Sequence, residues 1–127
     1  MTYGYGELEL EYIYLIVTQN GYYVGRSKDP ISRAKQHEYD RYTGTQREFH
    51  EDMRLRPYYV YILDCRLGLC EMGLEDKWIY YFAKMAEAEG KKCWNTNQTK
   101  DDSSYPDFVR QRRHFITWVY TKGEERK

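Results

Sequence analysis

The chain has 127 residues, the size of one domain, with 20 basic and 20 acidic residues and a formal net charge of zero. A protein that holds nucleic acid by bulk attraction is basic overall, so any such partner must be held here by a local patch. Three cysteines (Cys65, Cys70 and Cys93) and the lack of a basic, apolar leader argue against a secreted disulfide scaffold. They lead us to expect a cytoplasmic protein, or one of the host cytoplasm if phage-encoded. No apolar run approaches the ~20 residues of a membrane span, so no membrane partner is expected. Cys65 and Cys70 have no second Cys/His pair beside them, which favours ordinary thiols over a zinc site.

Tyr12 to Val17 is rich in β-branched and aromatic residues and reads as a strand. Asn20-Gly21 signals a type I′ turn, and Tyr22 to Gly25 returns as the hairpin partner. Asp29-Pro30 is an N-cap followed by a first helical residue, so a helix runs from there to about Tyr39. Asp40 to Arg56 is polar and mixed, a loop with a short helix. Pro57 to Asp64 reads as a third strand. A long helix spans about Leu69 to Ala88 and stops at Gly90, with Leu74, Trp78, Ile79, Phe82, Met85 and Ala86 at helical spacing. Lys91 to Lys100 is a loop or short strand. Asp107 to Tyr120 is a final helix candidate. The expected class is α+β: a small three-stranded antiparallel sheet flanked by helices over residues 1–100, with a C-terminal helical extension over residues 101–127 packed on it.

Four places could carry chemistry, and each has a plain structural reading beside the functional one. Tyr12 and Tyr14 share one face of their strand and Tyr23 lies across the turn, where phenols can approach closely; alone they form a packing cluster. Arg33 and His37 lie four residues apart on one helix face, with Gly25, Arg26 and Lys28 at the turn before it; alone this is a solvated basic face. Glu75 falls on or beside the apolar stripe of the long helix. An inward carboxylate is costly unless paired or metal-bound, and pairing with a structural arginine is the ordinary case. Asn95 in CWNTNQ caps a turn in most settings.

Read in order, these residues resemble the GIY-YIG nuclease family. Tyr12-Ile13-Tyr14 resembles its first motif and Tyr23-Val24-Gly25 its second. SKDPISRAKQH resembles the stretch that follows, with Arg33 as its arginine and His37 four residues on. EDKWIYYF resembles the metal-binding helix, with Glu75 as its glutamate, and WNTN the late aromatic-Asn element, with Asn95 as its asparagine. The match spans Tyr12 to about Gln98. Tyr12 stands where the first motif has glycine, and Val24 where the second has isoleucine.

The resemblance implies an endonuclease that hydrolyses DNA phosphodiester bonds with a tyrosine-activated water and a single divalent metal, Mg2+ or Mn2+, held by Glu75. Arg33 would offset phosphoryl charge. Tyr14 or Tyr23 would orient and deprotonate the water, His37 would orient or relay, and Asn95 would position a backbone or phosphate group. The partner implied is DNA, double-stranded, bound by a monomer or homodimer. Arg26, Lys28, Arg110, Arg112 and Arg113 could track its phosphates. The alternative is a non-cleaving nucleic-acid-binding or protein-interaction module on the same scaffold.

Overall fold

The computed structural model describes residues 10–39, 45–67, 72–95 and 116–123. Five strands and three helices alternate in the order β1 (Leu10–Val17), β2 (Gly21–Ser27), α1 (Pro30–Tyr39), α2 (Thr45–Leu55), β3 (Tyr58–Leu67), α3 (Met72–Glu89), β4 (Lys92–Cys93) and β5 (Thr117–Lys122). They form one sheet in the order β4-β2-β1-β3-β5.

The expectation of a three-stranded antiparallel sheet is therefore corrected to a five-stranded mixed one within an α+β fold. The three predicted strands make its antiparallel centre, with β1 between β2 and β3. The two added strands lie outside them. β4 is only two residues long and pairs with β2 in parallel, too short to leave a periodic signal in the sequence. β5 pairs antiparallel with β3. It also corrects the C-terminal helix, because Thr117 to Tyr120 are extended. Their alternation of β-branched and aromatic residues serves a strand at least as well as a helix. Residues 107–115 of that predicted helix lie outside the described residues, as do residues 69–71 at the start of the long one.

Period-two alternation along β1 sends residues to two different layers. Ile13 and Leu15 join Val24, Leu63, Trp78, Ile79, Phe82 and Ala86 beneath α3. Tyr14 and Ile16 join Ala34, Phe49, Met53, Tyr58 and Val60 beneath α1 and α2. Burying each large apolar side chain of these layers contributes roughly 1.5–3 kcal/mol before chain entropy is counted. α3 ends where predicted, at Gly90, whose φ of 72° suits the left-handed stop of a helix.

The hairpin turn is not the predicted type I′ pair, since Gly21 does not take positive φ. Gly21 already belongs to β2, and Gln19 and Asn20 make the turn. The Thr18 amide donates to the Gly21 carbonyl at 2.9 Å, and the Gly21 amide donates to Thr18 Oγ1 at 3.0 Å. Buried Asp52 of α2 accepts from the Asn20 backbone amide at 2.9 Å and from its side-chain amide at 3.0 Å. That long-range anchor overrides the local propensity of Asn-Gly.

A bulge interrupts the pairing of β1 with β3 beside Tyr14. Ile13 lies opposite Asp64 and Tyr14 opposite Ile62, so Leu63 is the extra residue. Such a bulge bends the strand and re-aims the side chains next to it.

Among the described residues no helix is long and apolar enough to cross a membrane. Cys65 is an exposed free thiol and Cys93 a half-buried one; Cys70 lies outside the described residues.

Candidate functional site

The site is built around Tyr14. It sits at the middle of the central strand, 1% exposed, directly opposite Gly25 of β2. Its ring lies across that glycine: a Cβ on Gly25 would come 2.5 Å from the Tyr14 Cζ and hydroxyl oxygen. The second motif ends in glycine here because a neighbouring aromatic ring occupies the space a side chain would need.

Tyr23 lies two residues before Gly25 on the same face. Its ring centroid is 6.3 Å from that of Tyr14. α1 then supplies the cation. Its start is fixed as predicted, with the Ser32 amide donating to Asp29 Oδ1 at 3.2 Å, and this sets the angular position of Arg33. The Arg33 guanidinium donates to Gln36 Oε1 at 2.7 Å, and its positive charge acts on the Tyr14 hydroxyl, favouring the ionised form. One turn on, buried His37 sets its ring edge-on to Tyr23, with centroids 5.0 Å apart.

Glu75 reaches the same group from the other layer. It stands in the first turn of α3, where the helix dipole favours an anion, and it is half-buried. Its charge acts on the Tyr14 hydroxyl. Burial pushes the Glu75 carboxyl up from the usual carboxylate range. Arg26 pulls it down, and the neighbouring Asp76 and Glu11 push it up. Glu11 is itself buried on β1, and its carboxylate lies 3.8 Å from Arg26 Nε.

Tyr14 is held strongly in its neutral form. Burial raises its pKa most, and the nearby Tyr23 adds to that. Arg33 opposes both by its charge, and Glu75 contributes a smaller rise.

Asn95 is a backbone clamp. Its Oδ1 accepts from the Val24 amide at 2.9 Å, and its Nδ2 donates to the Val24 carbonyl at 2.8 Å. The Trp94 amide has just made the last ladder bond, to the Tyr22 carbonyl at 2.8 Å. The Asn95 side chain thus continues the parallel pairing for one more step as the chain leaves the sheet. It fixes the residue between Tyr23 and Gly25.

Tyr23, Arg33 and Glu75 therefore all act on the Tyr14 hydroxyl, His37 lies against Tyr23, and Asn95 holds the strand that carries Tyr23 and Gly25. Arg26 is beside Glu75, and exposed Lys28 begins the turn into α1. Arg110, Arg112 and Arg113 lie outside the described residues. Tyr12 is half-buried at the start of the hairpin, opposite Ser27 and Cys65, two residues along β1 from the Tyr14–Gly25 pair.

The short helix expected between Asp40 and Arg56 is α2, and the sequence reading missed what it brings. Phe49 stacks on Tyr23 with centroids 4.8 Å apart, and His50 places Nε2 3.3 Å from His37 Nδ1. The i, i+4 spacing of Phe49 and Met53 was the available signal for an inward helix face. Charged neighbours on both sides concealed it.

The oxygen chemistry of this group fits a magnesium-type ion. Such ions take one or two carboxylates and keep waters and substrate oxygens for the rest. Burial and two acidic neighbours oppose ionisation of Glu75, and a divalent cation would relieve that deficit. Among the described residues, no group of three or more His, Cys, Asp or Glu side chains gathers as a full protein cage. Comparison with family models, with curated proteins and with solved structures finds no match to this chain.

Proposed function

We propose that this protein is a GIY-YIG-type endonuclease that hydrolyses DNA phosphodiester bonds at the Tyr14–Arg33 group. The observation that carries the reading is convergence. Tyr23 of the hairpin, Arg33 of the following helix and Glu75 from a helix about forty residues later all act on the Tyr14 hydroxyl, and His37, one turn from Arg33, packs edge-on to Tyr23. A packing cluster has no need of the arginine or the half-buried carboxylate.

Phosphodiester hydrolysis needs a proton acceptor for the attacking water and cations for the charge that grows on the phosphoryl oxygens. Arg33 supplies a fixed guanidinium for the second task. Tyr23 suits the first better than Tyr14. Tyr14 is almost wholly buried and held neutral, whereas Tyr23 is only half-buried and reaches the surface of the site. An ordinary phenol has a pKa near ~10, so Tyr23 depends on cationic charge in the same group, Arg33 foremost, to accept the water proton. Tyr14 presents a neutral hydroxyl to Arg33. His37, edge-on to Tyr23, receives or returns the proton. Glu75 is the residue that would hold Mg2+ or Mn2+, whose chemistry there is neutralisation at the scissile phosphate and at the leaving 3′ oxygen. Arg26 and Lys28 flank the site and suit the DNA backbone on either side of the cut.

The test is incubation of supercoiled plasmid with magnesium and wild-type protein, beside Glu75→Ala and Arg33→Ala. Nicking or linearisation by wild type, lost in both variants with the circular dichroism spectrum unchanged, supports the reading. Equal cutting by Glu75→Ala removes Glu75 as the metal ligand. DNA binding without cutting by wild type favours the non-cleaving module instead.

A further inference from the structure

His37 does not stand alone. It is 5% exposed, and His50 of α2, 1% exposed, faces it with Nε2 3.3 Å from His37 Nδ1. The two rings pack 5.4 Å apart, and Phe49, adjacent to His50, lies against both His37 and Tyr23. An imidazole pair at this distance shares one proton, with one nitrogen donating and the other accepting. Either ring can be the donor, so the pairing couples the two tautomers, and which ring donates decides which His37 nitrogen is basic.

We propose that His50 is a positioning residue for the cleavage reaction, resting on the nuclease reading above. His37 Nδ1–H donates to His50 Nε2, which leaves the buried His37 Nε2 as the basic nitrogen of the ring. When His37 Nε2 takes a proton, the ring becomes an imidazolium, and its Nδ1–H keeps the same bond to His50. The accepting ring is unchanged and the donor ring does not turn. The opposite tautomer would put a proton on Nε2 and leave His37 nothing with which to receive one. His50 itself touches neither water nor phosphate in this scheme. Its effect passes through His37, much as a buried acceptor holds the tautomer of a catalytic histidine in hydrolases.

The experiment compares wild type, His50→Phe and His50→Gln in magnesium-dependent plasmid cleavage and in 15N NMR of the His37 ring. Phenylalanine keeps the ring shape and removes the acceptor; glutamine keeps an acceptor at lower volume. The expected result is a fall in kcat of about 10-fold or more for His50→Phe, with KM within about twofold of wild type. His37 should then show averaged tautomer shifts, with recovery of both readouts in His50→Gln. Unchanged His37 shifts in His50→Phe overturn the proposal, as does undiminished kcat in that variant while wild type cuts. A wild type that cuts no DNA fails the nuclease reading itself, and averaged His37 shifts in His50→Phe would still show that His50 sets the tautomer.

Discussion

The Tyr14 ring covers Gly25 so closely that a methyl group on that glycine would lie 2.5 Å from the tyrosine hydroxyl oxygen. The two residues are partners in adjacent strands, and the hydroxyl is the point on which Arg33 and the charge of Glu75 act. Gly25→Ala must displace the ring or the strand. We expect cleavage to fall about 100-fold while stability drops by roughly 1–3 kcal/mol, the usual cost of overpacking. Plasmid nicking and urea denaturation measure the two effects. An alanine variant as active as wild type would show that the Tyr14 position is not critical.

Asn95 tests the backbone behind the site. Asn95→Ala leaves both Val24 backbone groups without their side-chain partner, a loss of about 1–3 kcal/mol. Its effect should appear in stability and in kcat together, because Val24 separates Tyr23 from Gly25. Asn95→Asp removes the donor to the Val24 carbonyl and sets a charge against it, and should be no better than alanine. A variant that loses activity at wild-type stability would instead place Asn95 against substrate.

Three buried phenols give an alkaline limit. Burial and the 2.5 Å hydrogen bond to Glu89 push Tyr22 up to about 12 from an ordinary value of 10.0. Burial raises Tyr14 and Tyr58 as well, with Glu38 adding to the rise at Tyr58. Each phenol holds its proton more tightly folded than unfolded. The native state thus binds more protons above pH ~10, and stability must fall as pH rises. Urea midpoints should be flat from pH ~8 to ~10 and decline toward ~12, less steeply in Tyr22→Phe. A midpoint independent of pH over that range would contradict the buried, hydrogen-bonded phenols.

Lys122 probes the tail as a strand. From β5 its ammonium donates to the carbonyls of Met53 and Arg54 at 2.8 Å, near the end of α2, and lies 3.6 Å from Glu38 of α1. Lys122→Ala should cost about 1–2 kcal/mol by stripping a charged donor from those carbonyls. Thermal denaturation measures it. An unchanged Tm would show that β5 contributes little to holding the two helices.

The hairpin, α1 and α3 were legible because their signals are local. Alternation marks β1, an Asp-Pro cap starts α1, and an apolar stripe ended by glycine marks α3. Tyr14, Tyr23, Arg33, His37 and Glu75 were legible as residues because the resemblance places them in order. Their convergence depends on a sheet register that no short window contains. The place of β4 in the sheet and the strand β5 were missed because pairing partners far along the chain create them. The Asn20–Gly21 turn was misread because Asp52, thirty-two residues beyond Asn20, fixes the turn one residue earlier. His50 was missed because α2 carries a narrow apolar face among charges, and only packing shows which way that face turns.

In the proposed reaction Tyr23 accepts the water proton in a magnesium-dependent cut. Tyr23→Phe removes one oxygen and keeps the stack on Phe49. The decisive measurement is the single-turnover rate of plasmid nicking in Mg2+ for wild type and Tyr23→Phe at saturating protein. Wild type should nick, and the variant should be slower by about 100-fold or more with DNA affinity unchanged. Equal rates, or a wild type that never nicks, would contradict it.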